Sequence, residues 1–208
     1  MLFDFHIHTR EYSDCSISSV EEMCRRAVEV GLAGIALTEH DVWWPGADVK
    51  ELEHRFPELA IMRGVEYTSP EGHFLVFLPN PENGELPAWR SVLELIPMVH
   101  HFGGIVVWAH PFRFDKRRPA WLDYVRPDGM EVASSNMHRK AENMAKRVAA
   151  QKGIMTFNNS DAHHVSSIGR YGNELDVPLT CVEDFITYVR NHAYRNARKP
   201  ASPVGAVF

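Results

Sequence analysis

The chain has 208 residues, 45% hydrophobic and 24% charged, which is enough apolar material for one buried core and too much for a disordered chain. A formal net charge of -5 lacks the basic excess that a general polyanion-binding surface needs, so broad duplex DNA binding is not expected. Cys15, Cys24 and Cys181 lie far apart, form no CxxC pair and imply no disulfide framework. The first residues carry neither a secretion-signal pattern nor a membrane-length apolar run, so the expectation is a soluble, cytoplasmic protein with no membrane partner.

Strand-length apolar runs recur along the chain at Leu2 to Phe5, Ala33 to Leu37, Ala60 to Val65, Phe74 to Leu78, Gly104 to Trp108, Gly129 to Val132, Ile154 to Phe157 and Glu174 to Val177. Helical patterns fall between most of them. Ser18 or Ser19 can cap a helix whose apolar positions are Val20, Met23, Cys24, Ala27 and Val28, with Gly31 as its stop. A second helix runs from about Ala88 to His101 with Pro97 inside it, a third from about Arg139 to Lys152 with Gly153 behind it, and a fourth begins near Thr180. Such alternation predicts one domain over 1–208, with parallel strands, covering helices, and a tail at 198–208 given to fraying.

In such a fold functional residues gather at the carboxyl ends of strands. Five runs here end in ligand-type residues: His6 and His8 after the first, Glu39-His40-Asp41 after the second, Glu66 after the third, His110 after Gly104 to Trp108, and Asp161-Ala162-His163 after Ile154 to Phe157. His73 opens a run, so periodicity leaves its end of the sheet open. Each position has an ordinary explanation. Paired histidines occur at polar strand ends, Asp14 sits in a polar loop where a solvated aspartate is usual, and Glu66 could pair with Arg63. Their repetition at successive strand ends is what points to metal ligation, because twelve histidines distributed for unrelated reasons would not gather there. The chain has no GxSxG elbow, Walker loop or GxGxxG turn, which removes the usual serine-hydrolase, P-loop and dinucleotide readings. Cys15 is expected to support loop packing.

The ordered set Asp4-Phe5-His6-Ile7-His8-Thr9, Ser13-Asp14, Thr38-Glu39-His40-Asp41, Gly64-Val65-Glu66, Gly72-His73-Phe74-Leu75, Ala109-His110-Pro111 and Ser160-Asp161-Ala162-His163 resembles the motifs of the PHP superfamily, named for polymerase and histidinol phosphatase. One departure is Glu39, where that family more usually has aspartate. The resemblance implies a distorted (β/α)7 barrel holding three divalent Mn, Zn or Fe ions. By position His6, His8, Glu66 and Asp161 would hold the first, Glu66, His73 and His110 the second, and Asp14, His40 and His163 the third. Glu66, Asp161 and His163 would stand nearest the chemistry. The implied activity is phosphate-ester hydrolysis by a metal-activated hydroxide, with Arg10, Arg113 and Arg170 as candidate phosphate binders. The expected substrate is a small phosphorylated compound, a nucleotide or short oligonucleotide among the options. A C–N hydrolase of amidohydrolase type and a non-catalytic metal-holding module are the competing readings.

Overall fold

The structure is a computed structural model describing residues 1–83, 86–115 and 117–197. Its elements in chain order are β1 (Leu2–Ile7), α1 (Val20–Glu29), β2 (Gly34–Leu37), α2 (Gly46–Arg55), β3 (Ala60–Arg63), β4 (Val65–Ser69), β5 (Gly72–Phe77), α3 (Val92–His101), β6 (Ile105–Trp108), β7 (Gly129–Ala133), α4 (Arg139–Lys152), β8 (Met155–Asn158), β9 (Asn173–Glu174) and α5 (Val182–Ala197). Two sheets form, ordered β3-β2-β1-β9 and β4-β5-β6-β7-β8. The expected tail at 198–208 lies outside the described residues. No helix among those described is long and apolar enough to cross a membrane.

Local chemistry explains the helix ends. Ser19 and Glu22 make a reciprocal capping box at the start of α1, each satisfying a backbone donor that the first turn leaves unpaired. Ser91 caps α3, so that helix begins at Val92 rather than near Ala88 as the apolar pattern suggests. Gly153 ends α4 with φ +63°, a left-handed conformation that suits glycine.

Three departures from the sequence reading bear on the site. The run Ala60 to Val65 is two strands, broken at Gly64 and divided between the sheets. A Cβ on Gly64 would meet the Phe77 ring at 2.6 Å, so only glycine lets the chain pass this close to the core as it changes sheet. Strand β5 is antiparallel to both β4 and β6, because the tight turn over Ser69-Pro70-Glu71-Gly72 leaves no room for a crossover. Its first residues, including His73, therefore lie at the end where the parallel strands finish. Finally, the sheets are not closed into a barrel. They meet through two isolated bridges, Ile7 to Ala162 and His40 to Glu66. Helix α2, not expected from the sequence, buries only Val49 and Leu52 and so has a weak apolar face.

The core has three parts. Helices α1 and α2 cover the outside of the first sheet through Met23, Cys24, Leu52 and Ile61. The outside of the second sheet is covered by α3 and α4 through Leu95, Val99, Ala145 and Val148. Between the sheets lie Phe3, Phe5, Met62, Phe77 and Phe157, with Phe185, Ile186 and Val189 of α5. In β1 the pairing slips between Asp4 and Ile7, and Phe5 belongs to the inner cluster whereas Ile7 belongs to an outer one. A slip of this kind re-aims side chains, and here it lets His6 and His8 follow Phe3 and Phe5 inward.

Candidate metal centre

Bridging between the sheets brings the strand ends together, and the histidines and acids carried there converge. Three groups have ligand atoms all within 4.8 Å of one another: His6, His8, Glu66 and Asp161; His40, Glu66 and His73; and His8, His40 and His163. The first is wholly buried, while His40, His73 and His163 are half-buried and form its rim.

In the buried group His6 Nε2 and His8 Nε2 stand 3.0 Å apart. Glu66 Oε2 lies 3.3 and 3.0 Å from them, and Asp161 Oδ1 3.3 and 3.4 Å. Ligands about 2.1 Å from a tetrahedral ion are separated by roughly 3.4 Å, so these four atoms are spaced as one coordination sphere would space them. Glu66 Oε2 and Asp161 Oδ1 are both buried with no hydrogen-bond partner. Leaving two carboxylate oxygens in that state is costly unless a cation meets them. No lysine or arginine among the described residues is within ion-pairing distance of either group, and Arg63 is engaged with Glu82 at 2.7 Å. The donor set and its unsatisfied oxygens fit a divalent metal.

Glu66 faces both ways. Its Oε1 is 2.9 Å from His73 Nδ1 and 2.8 Å from His110 Nε2, while Oε2 is also 3.1 Å from His40 Nδ1. The rings step onward at close range: His8 lies 4.5 Å from His40 and 4.4 Å from His163 between centroids, and His73 lies 5.3 Å from His110. Backbone strain marks the same place, with positive φ at His110 (26°) and Asp161 (50°).

The electrostatics show a site that attracts positive charge. Burial pushes the His6 imidazole down, but Asp161, Glu131 and Glu66 outweigh it and hold its pKa well above the usual range. His8 and His110 are raised in the same way, burial being overcome by Asp161 and Glu66 at His8 and by Glu66 at His110. For Glu66 and Asp161, burial opposes ionisation but the His6 cation and neighbouring imidazoles hold both well below the carboxylate range. At the rim burial wins: His40 is lowered to about 4 and His163 is lowered, so both present neutral rings.

Behind the ligand atoms lies a supporting set of residues, of which Glu131 was not named in the sequence reading. Glu131 of β7 is fully buried and accepts from His6 Nδ1 (2.9 Å), the His110 backbone N–H (2.6 Å) and Asn159 Nδ2 (2.8 Å). A carboxylate can only accept, so a hydrogen sits on His6 Nδ1, and it is Nε2 that loses its proton and turns a lone pair to the cluster when the ring becomes neutral. Its sequence signal was a glutamate inside the apolar run Gly129 to Val132, the same signal that marked Glu66. Ser13 accepts from His8 Nδ1 at 3.3 Å and donates to Glu39 at 2.5 Å. Glu39 also accepts from Thr9 N, Thr9 Oγ1 and Trp44 Nε1, so it holds the loop that orients His8. Asp4, pushed up to about 7 by burial, accepts from the His6 and Ser160 backbone N–H groups.

Two sets of expected residues are placed elsewhere. Asp14 is exposed on its polar loop and belongs to none of the three groups. Of the arginines, Arg10 is exposed in a recess beside Glu22, Arg25 and Arg26, and Arg170 is exposed with its Nε donating to Ser166 O. Only Arg113 shares a cleft, of about 680 Å³, with His73 and His110.

Comparison with known proteins decides the family. The PHP domain model matches residues 4–78, which include six of the nine expected ligands, from His6 to His73, and the PHP-associated model matches 139–194. The chain belongs to the PHP family. It is similar to the uncharacterized protein MJ1587 of Methanocaldococcus jannaschii, at 27% identity over 123 residues, covering 54% of this chain and 68% of that one. It is also similar to the 5'-3' exoribonuclease Rnm of Escherichia coli, at 28% over 112 residues, covering 50% of this chain but only 38% of the exoribonuclease. Among solved structures, PsfC from Pseudomonas syringae superposes with TM-score 0.67 at 17% identity, covering 94% of this chain and 96% of PsfC. A two-domain protein of Bacteroides vulgatus containing a predicted PHP-like metal-dependent phosphoesterase superposes with TM-score 0.59 at 22% identity over 80% of this chain and 53% of that one. At these identities the structures attest the fold alone.

Proposed function

We propose that this PHP chain is a metal-dependent phosphoesterase that hydrolyses a small phosphorylated substrate, a nucleotide or oligonucleotide end being favoured by the similarity to the Rnm exoribonuclease. The observation that carries the reading is the buried set His6, His8, Glu66 and Asp161, with two carboxylate oxygens lacking a hydrogen-bond partner and no lysine or arginine among the described residues paired with them. His6, His8, Glu66 and Asp161 would hold one ion, Glu66 with His73 and His110 a second, and His40 and His163, with Asp14 of the neighbouring loop, a third. A distorted (β/α)7 barrel is the proposed form of the family fold, supported by the two isolated bridges that join the open sheets at the ligand end.

Bound at these groups, divalent ions supply Lewis-acid polarisation of a phosphoryl oxygen and lower the pKa of a water towards neutrality. The chain supplies the rest. Glu131 and Ser13 keep the imidazole lone pairs of His6 and His8 aimed at the cluster, which removes the cost of reorienting them during turnover. The half-buried rim of His40, His73 and His163 is where a phosphate can approach. Arg113 carries no ion pair or hydrogen bond among the described residues and lines the cleft beside His73 and His110. A guanidinium there suits two phosphate oxygens, which favours phosphate over the carbonyl of a C–N substrate. The test is a phosphate-release screen over nucleotides, short oligonucleotides, sugar phosphates and histidinol phosphate, after reconstitution with Mn, Fe or Zn and with bound metal quantified. Loaded protein that releases no phosphate from any class would overturn the reading.

A further inference from the structure

The cleft beside the cluster is larger and more aromatic than a phosphate needs. Its wall runs from His73 and His110 past Arg113 to Trp89, Phe114 and Trp121. Trp89 and Phe114 are 64% and 84% exposed, yet both border this one recess. Large rings left in water at a concave surface mark a place that something apolar and flat covers. Trp89 is held with φ +59°, a conformation that a bulky side chain rarely adopts and that persists where surroundings impose it. The second, independent sign is Trp121, 6% exposed, whose indole Nε1 is buried without a hydrogen-bond partner. An indole N–H can only donate, so the cleft wall contains a donor lacking its acceptor. Arg113 sits with its guanidinium carbon 5.0 Å from the Phe114 ring centroid, extending the flat surface with positive charge.

We propose that this cleft is the subsite for a planar heteroaromatic ring, the base of a nucleoside phosphate, with Trp89 and Phe114 as stacking residues and Trp121 as a donor to a ring acceptor. The proposal rests on the phosphoesterase reading for the phosphate half of the substrate. A sugar phosphate lacking a base would leave the exposed rings and the indole donor without a use. Stacking tolerates any base because each has a π face, so the subsite selects nucleotides as a class rather than one sequence.

The experiment separates ring from phosphate. Calorimetry on the metal-loaded enzyme compares adenosine with ribose, neither of which can be hydrolysed as an ester. Adenosine should bind at least about tenfold more tightly. Trp89→Ala and Phe114→Ala should each bring the two affinities together, Trp89→Phe should restore the preference, and circular dichroism should show all variants folded. In parallel, phosphate release from adenosine monophosphate and ribose 5-phosphate gives the catalytic preference. Equal binding of adenosine and ribose, or a preference untouched by both alanine variants, overturns the subsite. Equal efficiency on the two esters also overturns it while leaving the phosphoesterase standing. Preferential adenosine binding with no hydrolysis of any ester supports the subsite and overturns the phosphoesterase reading instead.

Discussion

Replacing Glu66 by glutamine probes the centre most directly. The side chain keeps its size but loses its charge, and one oxygen becomes an NH2 group. Five imidazole nitrogens surround the carboxylate at 2.8 to 3.3 Å, so whichever way the amide turns, hydrogens face atoms spaced for a shared cation. Losing even an outer partner of a metal ligand lowers metal affinity about 10- to 100-fold. Removing the charge of a carboxylate placed to bridge two ions should cost more, at least ~2.7 kcal/mol or about 100-fold in affinity. Activity should fall by a similar or larger factor. The comparison is His164→Gln: this exposed ring contacts Ser166 Oγ at 2.8 Å and lies in none of the ligand groups, so its replacement should change stability by no more than about 0.5 kcal/mol and leave metal content unaltered. Metal is quantified by mass spectrometry after gel filtration, and phosphate release is measured on the same samples. A Glu66→Gln protein that keeps full metal occupancy and most of its activity, or equal losses in both variants, refutes the assignment.

Arg113→Ala should lower kcat/KM about 10- to 100-fold through loss of a charge-assisted contact, with metal content unchanged; steady-state kinetics beside metal analysis decide it, and lost metal would make the arginine structural. Glu131→Ala leaves three buried donors without their acceptor, at about 1–3 kcal/mol each, so urea unfolding of the metal-free variant should show at least about 3 kcal/mol of destabilisation. Wild-type stability would show that these donors find other partners. Metal uptake should release protons, because His6 and His8 have raised pKa values and must lose their protons to coordinate. A raised imidazole pKa stabilises the metal-free fold fully below about 6.5 and ceases to do so as pH rises through the folded value. Metal affinity, and the gap in Tm between loaded and metal-free protein, should therefore grow with pH. Calorimetric heats that do not vary between buffers of different ionisation enthalpy would contradict this.

Much of the centre was legible along the chain because ligand-type residues at strand ends stand out from apolar runs. The family resemblance grouped His6, His8, Glu66 and Asp161, and the structure brings their ligand atoms together. Glu131 carried the same signal, a carboxylate in an apolar strand, but its partners His6, His110 and Asn159 are distant in sequence, and nothing local reveals whether such a group faces metal or ligand. Asp14, Arg10 and Arg170 lie outside the clustered groups for a different reason. Proximity to a motif says little about direction in a loop, where no period ties a side chain to a face.

The sequence by itself determined the alternation of elements, the caps of α1 and α4, and which residue types would meet at one end of the strands, because periodicity, capping and desolvation act locally. Only the tertiary structure decided that Gly64 carries the chain from one sheet to the other, that the antiparallel β5 delivers His73 to the ligand end, and that a slip in β1 turns His6 and His8 inward. It also decided that the His8 ring comes beside His40 and His163, and that Arg113 alone of the three arginines lines the cleft. These outcomes depend on contacts between segments remote in sequence, whose register is set when the sheets and their shared core close around Phe5, Phe77 and Phe157.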